Sequence, residues 1–207
     1  MAELALAPTA APAVRRSEKI PDAFVYEIIR GKKYYFRGYR DVMNKTKQLS
    51  EIMSCSGLQA FILDYFSRII HKSFDEDEFI VLSNEVGLQF VKKEWFSCDM
   101  ALFRAEVLTP QMITKKLVNV VPEVVIEVDV QADLADTKEV DYIHEKTADL
   151  LRFGVKKVIW IFSSAEMLLL AENGETDWRW RSWDEDATLW QNVPFNIGNY
   201  LKKKGLR

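Results

Sequence analysis

The alternation of apolar and polar positions divides the chain into short strands and two clear helices. Residues 118–130, VNVVPEVVIEVDV, form a valine-rich run. Val124, Ile126, Val128 and Val130 share one face of a strand, and Val125, Glu127 and Asp129 share the other. A run this continuous predicts a strand buried on both faces. Its two acids are the exception, roughly 6.6 Å apart along the strand and costly to bury unless something positive compensates them. After an acid-rich turn, a period near 3.6 predicts a helix over residues 137–153. Val140, Ile143, Thr147, Leu150 and Leu151 lie on one side of it, and Gly154 marks its C-terminal stop. Asp141, Glu145 and Arg152 point away. Lys146 falls inside the apolar arc, where a stem snorkelling to solvent is the simpler expectation. An apolar strand over residues 157–162 follows. A right-handed strand–helix–strand crossover sets Lys146 near the acids if the helix packs on their face.

Upstream, residues 23–29 and 33–39 predict a hairpin turned at Arg30, Gly31 and Lys32, with Glu27 inside its first strand on a face that the pattern leaves open. Residues 56–71 predict an amphipathic helix with Leu58, Phe61, Ile62, Tyr65 and Ile69 on one face and Gln59 at its margin. Two strands are expected over 79–84 and 86–90. A further strand over 95–103 carries one interior acid, Asp99, on the face of Ser97, Ala101 and Phe103. Downstream, strands over 167–171 and 178–183 flank an Asn173–Gly174 turn. Trp178, Trp180, Trp183, Trp190 and Phe195 read as core or dimer interface rather than as a base-stacking platform.

Composition narrows the chemistry. With 207 residues, 48% hydrophobic and 29% charged, the chain has the make-up of one ordinary globular domain. Residues 1–20 are Ala/Pro-rich and predict a mobile arm before a folded domain over 21–207. No apolar run is long enough for a transmembrane helix, so no membrane partner is expected. Cys55 and Cys98 read as buried free thiols of a reducing, cytoplasmic compartment, and two histidines leave no histidine metal cluster or serine-type triad. Glycine-rich nucleotide motifs are absent. The net charge of −3 does not decide for or against nucleic acid. Locally, however, residues 30–47 hold seven basic residues, among them Arg30, Lys32, Lys33, Arg37 and Arg40, interleaved with Tyr34, Tyr35, Phe36 and Tyr39. That mixture suits a phosphate backbone, and equally a solvated edge hairpin whose aromatics pack inward.

An aspartate in one strand, a glutamate in a later apolar strand and then a lysine is the order of a metal-dependent phosphodiesterase site. Two carboxylates gather a hard cation such as Mg²⁺ or Mn²⁺, which polarises a phosphate and acidifies a bound water. A lysine offsets the acids' repulsion and stabilises charge developing at phosphorus.

The segments YEIIRGKKYYFRGY, SCDMALF, VVPEVVIEVDV, HEKTADLLRFGVKKVIWIF and PFNIGNYL, in that order, resemble the Uma-two family, a bacterial branch of the PD-(D/E)XK nuclease superfamily of restriction-endonuclease type. The resemblance spans about residues 21–201. It implies an α/β, restriction-endonuclease-like core with a central mixed β-sheet flanked by helices. It also implies Mg²⁺- or Mn²⁺-dependent endonuclease action on DNA, with Asp99 and Glu127 as metal-binding acids and Lys146 as the catalytic lysine. The chain departs from the superfamily pattern by carrying Asp129 two residues after Glu127, where that pattern has its lysine, and by carrying Gln59 near the start of the first long helix, where family members often have a histidine. Asp129, Glu27 and Gln59 are therefore accessory candidates, and Arg30, Lys32, Lys33, Arg37 and Arg40 are candidate DNA contacts. A homodimer is the simplest way to cut two strands. The departures also motivate an alternative: a nuclease-fold binding or scaffold protein without turnover.

Overall fold

The valine-rich run becomes the centre of a mixed sheet. A computed structural model describes residues 19–135 and 137–207; the expected Ala/Pro-rich arm lies almost wholly outside them. The chain opens with strands β1 (Val25–Ile29) and β2 (Lys32–Tyr35), then three helices, α1 (Tyr39–Met43), α2 (Leu49–Ile52) and α3 (Gly57–Ser73). A long hairpin of β3 (Phe79–Val91) and β4 (Glu94–Arg104) leads to β5 (Val124–Val128), α4 (Glu139–Arg152) and β6 (Lys157–Phe162). Strands β7 (Met167–Glu172), β8 (Arg179–Ser182), β9 (Ala187–Thr188) and β10 (Pro194–Phe195) precede a closing helix α5 (Ile197–Lys203).

The large sheet runs β2-β1-β4-β5-β6-β7-β8, with β3 paired to β4. β5 and β6 are parallel, joined by α4, while the other pairings are antiparallel. Both faces are covered, which explains why β5 has no polar alternation. Val124, Ile126 and Val128 pack with Ile62, Phe66 and Ile70 of α3, and Val125 packs with Tyr142, Ile143 and Leu150 of α4. The C-terminal segment closes the α3 side: Leu189, Phe195 and Leu201 join that cluster, and Tyr200 stacks on Tyr65 with ring centroids 4.1 Å apart. Among the described residues, no helix is long and apolar enough to cross a membrane.

β3 occupies one edge of β4 from Val91 opposite Glu94 to Phe79 opposite Arg104. The other edge of β4 is therefore divided between β1, which pairs at Ile28–Trp95, and β5, which pairs from Met100–Ile126 to Leu102–Val124. Between those two partners the sheet is split.

Several expectations are corrected. The second hairpin strand ends at Tyr35, because Gly38, at φ 86°, turns the chain into α1. The two short strands over 79–90 are one strand carrying a bulge, with Asn84 and Glu85 at φ 79° and 57°. Val140, placed on the apolar side of its helix, is exposed, whereas Asp149 is buried because Arg30 reaches it from the hairpin turn with two 2.9 Å hydrogen bonds. Cys98 is buried, but Cys55 is exposed in the loop before the Ser56 cap of α3. Of the downstream aromatics, Trp183 and Phe195 are core, while Trp180 is 56% exposed on β8.

Phe66 is fully buried, with its ring 4.9 Å from that of Phe195. Replacing it by alanine is expected to cost about 3–5 kcal/mol in urea unfolding; a loss below about 1 kcal/mol would show that α3 does not hold this face of the sheet.

Candidate functional site

The split in the sheet is filled by ionisable side chains. Lys146, on the inward face of α4, does not snorkel: only 1% of it is exposed. Its Nζ lies 2.9 Å from Glu127 Oε1 and 3.0 Å from Glu27 Oε2, and donates to the Ser97 carbonyl at 2.6 Å and the Tyr142 hydroxyl at 3.4 Å. Glu27, the acid whose face the pattern left open, points into the site and is fully buried. One of its oxygens accepts from the Ser97 amide at 3.1 Å and the other from the Tyr142 hydroxyl. The Ser97 N–H and C=O, which find no ladder partner in the gap between β1 and β5, are thus satisfied by Glu27 and Lys146. This meets the requirement that buried backbone polar groups be paired.

Asp99 occupies the same gap from β4. The β4–β5 register stops at Met100–Ile126; continued by one step it sets Asp99 opposite Glu127, a pairing that places Cβ atoms about 5 Å apart. Instead of a ladder bond, the Val128 amide donates to Asp99 Oδ2 at 2.6 Å. Asp99 Oδ1 accepts from Gln59 Nε2 at 3.0 Å, and Gln59 Oε1 accepts from Gln131 Nε2 at 3.1 Å. Asp99, Glu127 and Lys146 are thus gathered by β4, β5 and α4, as the order of the residues implied.

The electrostatics follow from one cation shared among three buried acids. Burial drives the Asp99 carboxyl up to about 6, opposed by the Val128 amide and reinforced by Glu85. Burial also pushes Glu127 well above the usual carboxylate range, more than Lys146 pulls it back. For Lys146, burial favours loss of the proton, but Glu127 and Glu27 outweigh it and hold the ammonium charged. Tyr142 is held protonated by burial and by the neighbouring Glu27. The site thus holds more buried carboxyl groups than cations, and Asp99 and Glu127 answer their burial by holding protons more tightly. Glu127 Oε1 has the Lys146 ammonium 2.9 Å away as its partner.

Two buried carboxyl groups on adjacent strands, Asp99 and Glu127, are the oxygen-rich chemistry a hard divalent cation prefers. The fit is of a particular kind. Among the described residues, no group of three or more His, Cys, Asp or Glu is spaced to hold a metal. A cation would rest on Asp99 and Glu127, with water or phosphate oxygens completing its shell, as Mg²⁺ sites commonly do.

The accessory candidates divide. Asp129 leaves the strand at φ 58° and turns toward β6, accepting from the Ser163 amide at 2.7 Å and hydroxyl at 2.6 Å. It does not stay on the face of Glu127, as strict alternation suggests. Gln59 and Asp129 both line an open cavity of about 320 Å³, with Arg37, Ser56, Gln131, Phe162 and Ser163 also in its wall. The cavity lies beyond the carboxyl ends of the parallel strands β5 and β6, where open α/β sheets bind ligands. Of the basic candidates, Arg37 alone reaches it. Arg30 is taken by Asp149, Lys33 by Asp22 and Arg40 by Asp133, and Lys32 donates to Thr137.

Tyr142, Gln131 and Glu85 belong to the site's surroundings without having been singled out. Tyr142 was legible as the residue one turn before Lys146 on the same helix face. Glu85 sits on the bulge opposite Asp99 and accepts from the Ser97 hydroxyl at 2.8 Å; its role depends on a bulge that no local pattern announces.

The raised Asp99 carboxyl sets a sign for pH dependence. A folded-state value near 6 against an ordinary 3.8 means that the folded protein binds the extra proton. This stabilisation is fully present below about 3.8 and lost as pH rises through about 6. Asp99→Asn removes it. The stability of that variant relative to the parent should therefore climb between pH 4 and pH 7, by up to roughly 3 kcal/mol. A flat difference in denaturant melts across that range would contradict the placement of Asp99 in a dry site.

No protein-family profile matches the chain, and no curated protein does. Among solved structures it is similar to a protein from Anabaena variabilis ATCC 29413 described as "a putative nuclease belonging to DUF820". The two share 12% sequence identity at a TM-score of 0.60, over 85% of this chain and 89% of the other. At that identity the likeness shows the fold, which is the expected mixed α/β, restriction-endonuclease-like one; it does not single out the Uma-two family.

Proposed function

We propose that this chain is a metal-dependent nuclease that hydrolyses DNA phosphodiester bonds using Mg²⁺ or Mn²⁺. The observation that carries the reading is the excess of buried carboxyl groups over cations in the sheet split, where Asp99 and Glu127 come from adjacent strands and Lys146, paired with Glu127 and Glu27, is the ammonium beside them. Such an excess is costly without a compensating cation. The nuclease-like fold of the Anabaena protein agrees with this reading.

In this account Asp99 and Glu127 would hold the cation, which when bound polarises the phosphate and lowers the pKa of a bound water. Lys146 holds Glu127 and Glu27 together and contributes fixed positive charge beside the reacting phosphate. Because its ammonium is anchored by the Ser97 carbonyl and two acids, it is already oriented before substrate arrives. Glu27 and Tyr142 act through Lys146, fixing its position. Arg37, which lines the cavity, would meet a neighbouring phosphate. The remaining basic candidates bear on DNA only if they exchange their present acidic partners for phosphates.

A second reading, a nuclease-fold binding or scaffold protein without turnover, is favoured by one observation: Asp99 and Glu127 are only 4% and 2% exposed. Plasmid nicking separates the two. The parent protein in Mg²⁺ or Mn²⁺ should convert supercoiled DNA to nicked circles, and Asp99→Ala should lose on the order of 100-fold or more. Equal cleavage by both discards the site, and absence of cleavage by the parent supports the scaffold.

A further inference from the structure

The cavity that a phosphate would enter does not reach Asp99 directly, because an amide stands between them. Gln59 lies in the first turn of α3, its own N–H fixed by the Ser56 hydroxyl at 3.1 Å, and only 2% of it is exposed. Its side chain is on the cavity wall, and its Nε2 donates to Asp99 Oδ1 at 3.0 Å. Gln131, also on that wall, donates its own Nε2 to Gln59 Oε1 at 3.1 Å. An ionised carboxylate only accepts, so the Gln59 amide must turn its N–H₂ edge to Asp99 and its oxygen to Gln131. The other Asp99 oxygen is held by the Val128 amide at 2.6 Å. Both Asp99 oxygens are therefore occupied by N–H donors, and a cation arriving from the cavity has to displace the Gln59 amide to reach Oδ1.

From this geometry we infer that Gln59 and Gln131 form a two-amide latch that controls the access of a divalent cation to Asp99. The inference rests on the metal-dependent reading above and adds that the site has a closed state. Gln59 acts on the cation only through Asp99, so it is a positioning residue. Opening requires rotation of the Gln59 side chain and loss of two hydrogen bonds. Gln131 is half-buried and belongs to the irregular segment between β5 and α4, so it is the member freer to let go. When only a fraction of molecules is open, the apparent affinity for the cation falls by that fraction. Removing the latch restores it.

The test is titration of the metal-free chain with Mn²⁺, followed by calorimetry and by the electron paramagnetic resonance of the free ion. The proteins compared are the parent, Gln59→Ala, Gln131→Ala, and each combined with Asp99→Asn. The latch predicts that Gln59→Ala binds Mn²⁺ about tenfold more tightly than the parent, the scale of one hydrogen bond to a charged group. Gln131→Ala should show a smaller gain, and Asp99→Asn should abolish binding in every background. A parent that binds nothing while Gln59→Ala binds also supports the latch. Parent binding that depends on Asp99, with neither glutamine variant tighter, overturns the latch and leaves the metal site standing. If neither parent nor variants bind at millimolar Mn²⁺, latch and metal site fall together. Should Gln59→Ala fail to fold, as a thermal melt would show, Gln131→Ala decides alone.

Discussion

A single buried ammonium holds this structure's central gap closed. Lys146 touches Glu127 of β5, Glu27 of β1 and the Ser97 carbonyl of β4 from its place on α4. Four elements distant in sequence thus share one charge. Because β1 and β5 divide one edge of β4, the ladder between them is missing, and the polar backbone there must be satisfied by side chains. Glu27 and Asp99 take the amides of Ser97 and Val128, and Lys146 takes the Ser97 carbonyl. Removing any one member leaves a buried donor, acceptor or charge without its partner, which is the costly case for interior polar groups.

The same arrangement is unbalanced. One lysine cannot neutralise three carboxylates, and that excess of acids adds to burial, the larger cause, in the upward shifts of Asp99 and Glu127. The excess sits beside a cavity at the ends of parallel strands, and the Gln59–Gln131 pair lies between cavity and carboxylate. Excess acids, cavity and amide barrier are the features on which the proposed cation site and its closed state rest.

How much of this was legible in the sequence depended on the range of the forces involved. β6 follows from its apolar run with its expected bounds, and α3 follows from its period, with Ser56 supplying the N-terminal cap. The strand–helix–strand unit sets Lys146 beside Glu127 once α4 packs on that acid's face. Asp99, by contrast, comes from β4, outside that unit, and its place depends on the β4–β5 register. The depth of Lys146 was not legible. An isolated lysine in an apolar arc favours solvent, and reversing that preference takes Glu127 together with Glu27, a partner from more than a hundred residues away. The bulge at Asn84 and Glu85 was hidden for the same reason: two residues facing Asp99 are a property of register between strands, which neither strand's pattern contains. Asp129 alternates correctly up to the strand end, but a left-handed backbone turns it toward Ser163. The basic hairpin was visible as composition, yet composition does not say that Asp149, Asp22 and Asp133 would claim its charges.

Replacing Lys146 with methionine, which keeps the length of the stem and removes the charge, tests the central claim most directly. Denaturant unfolding at pH 8 should lose about 3–5 kcal/mol, the cost of stranding buried acids. The loss should shrink at pH 5. Without the ammonium the Glu127 carboxyl rises further above its unfolded value, so the folded variant gains stability by taking up a proton as pH falls. A loss under about 1 kcal/mol at pH 8, unchanged at pH 5, would contradict the account, because the acids would then be stable in the sheet without the charge that is said to hold them.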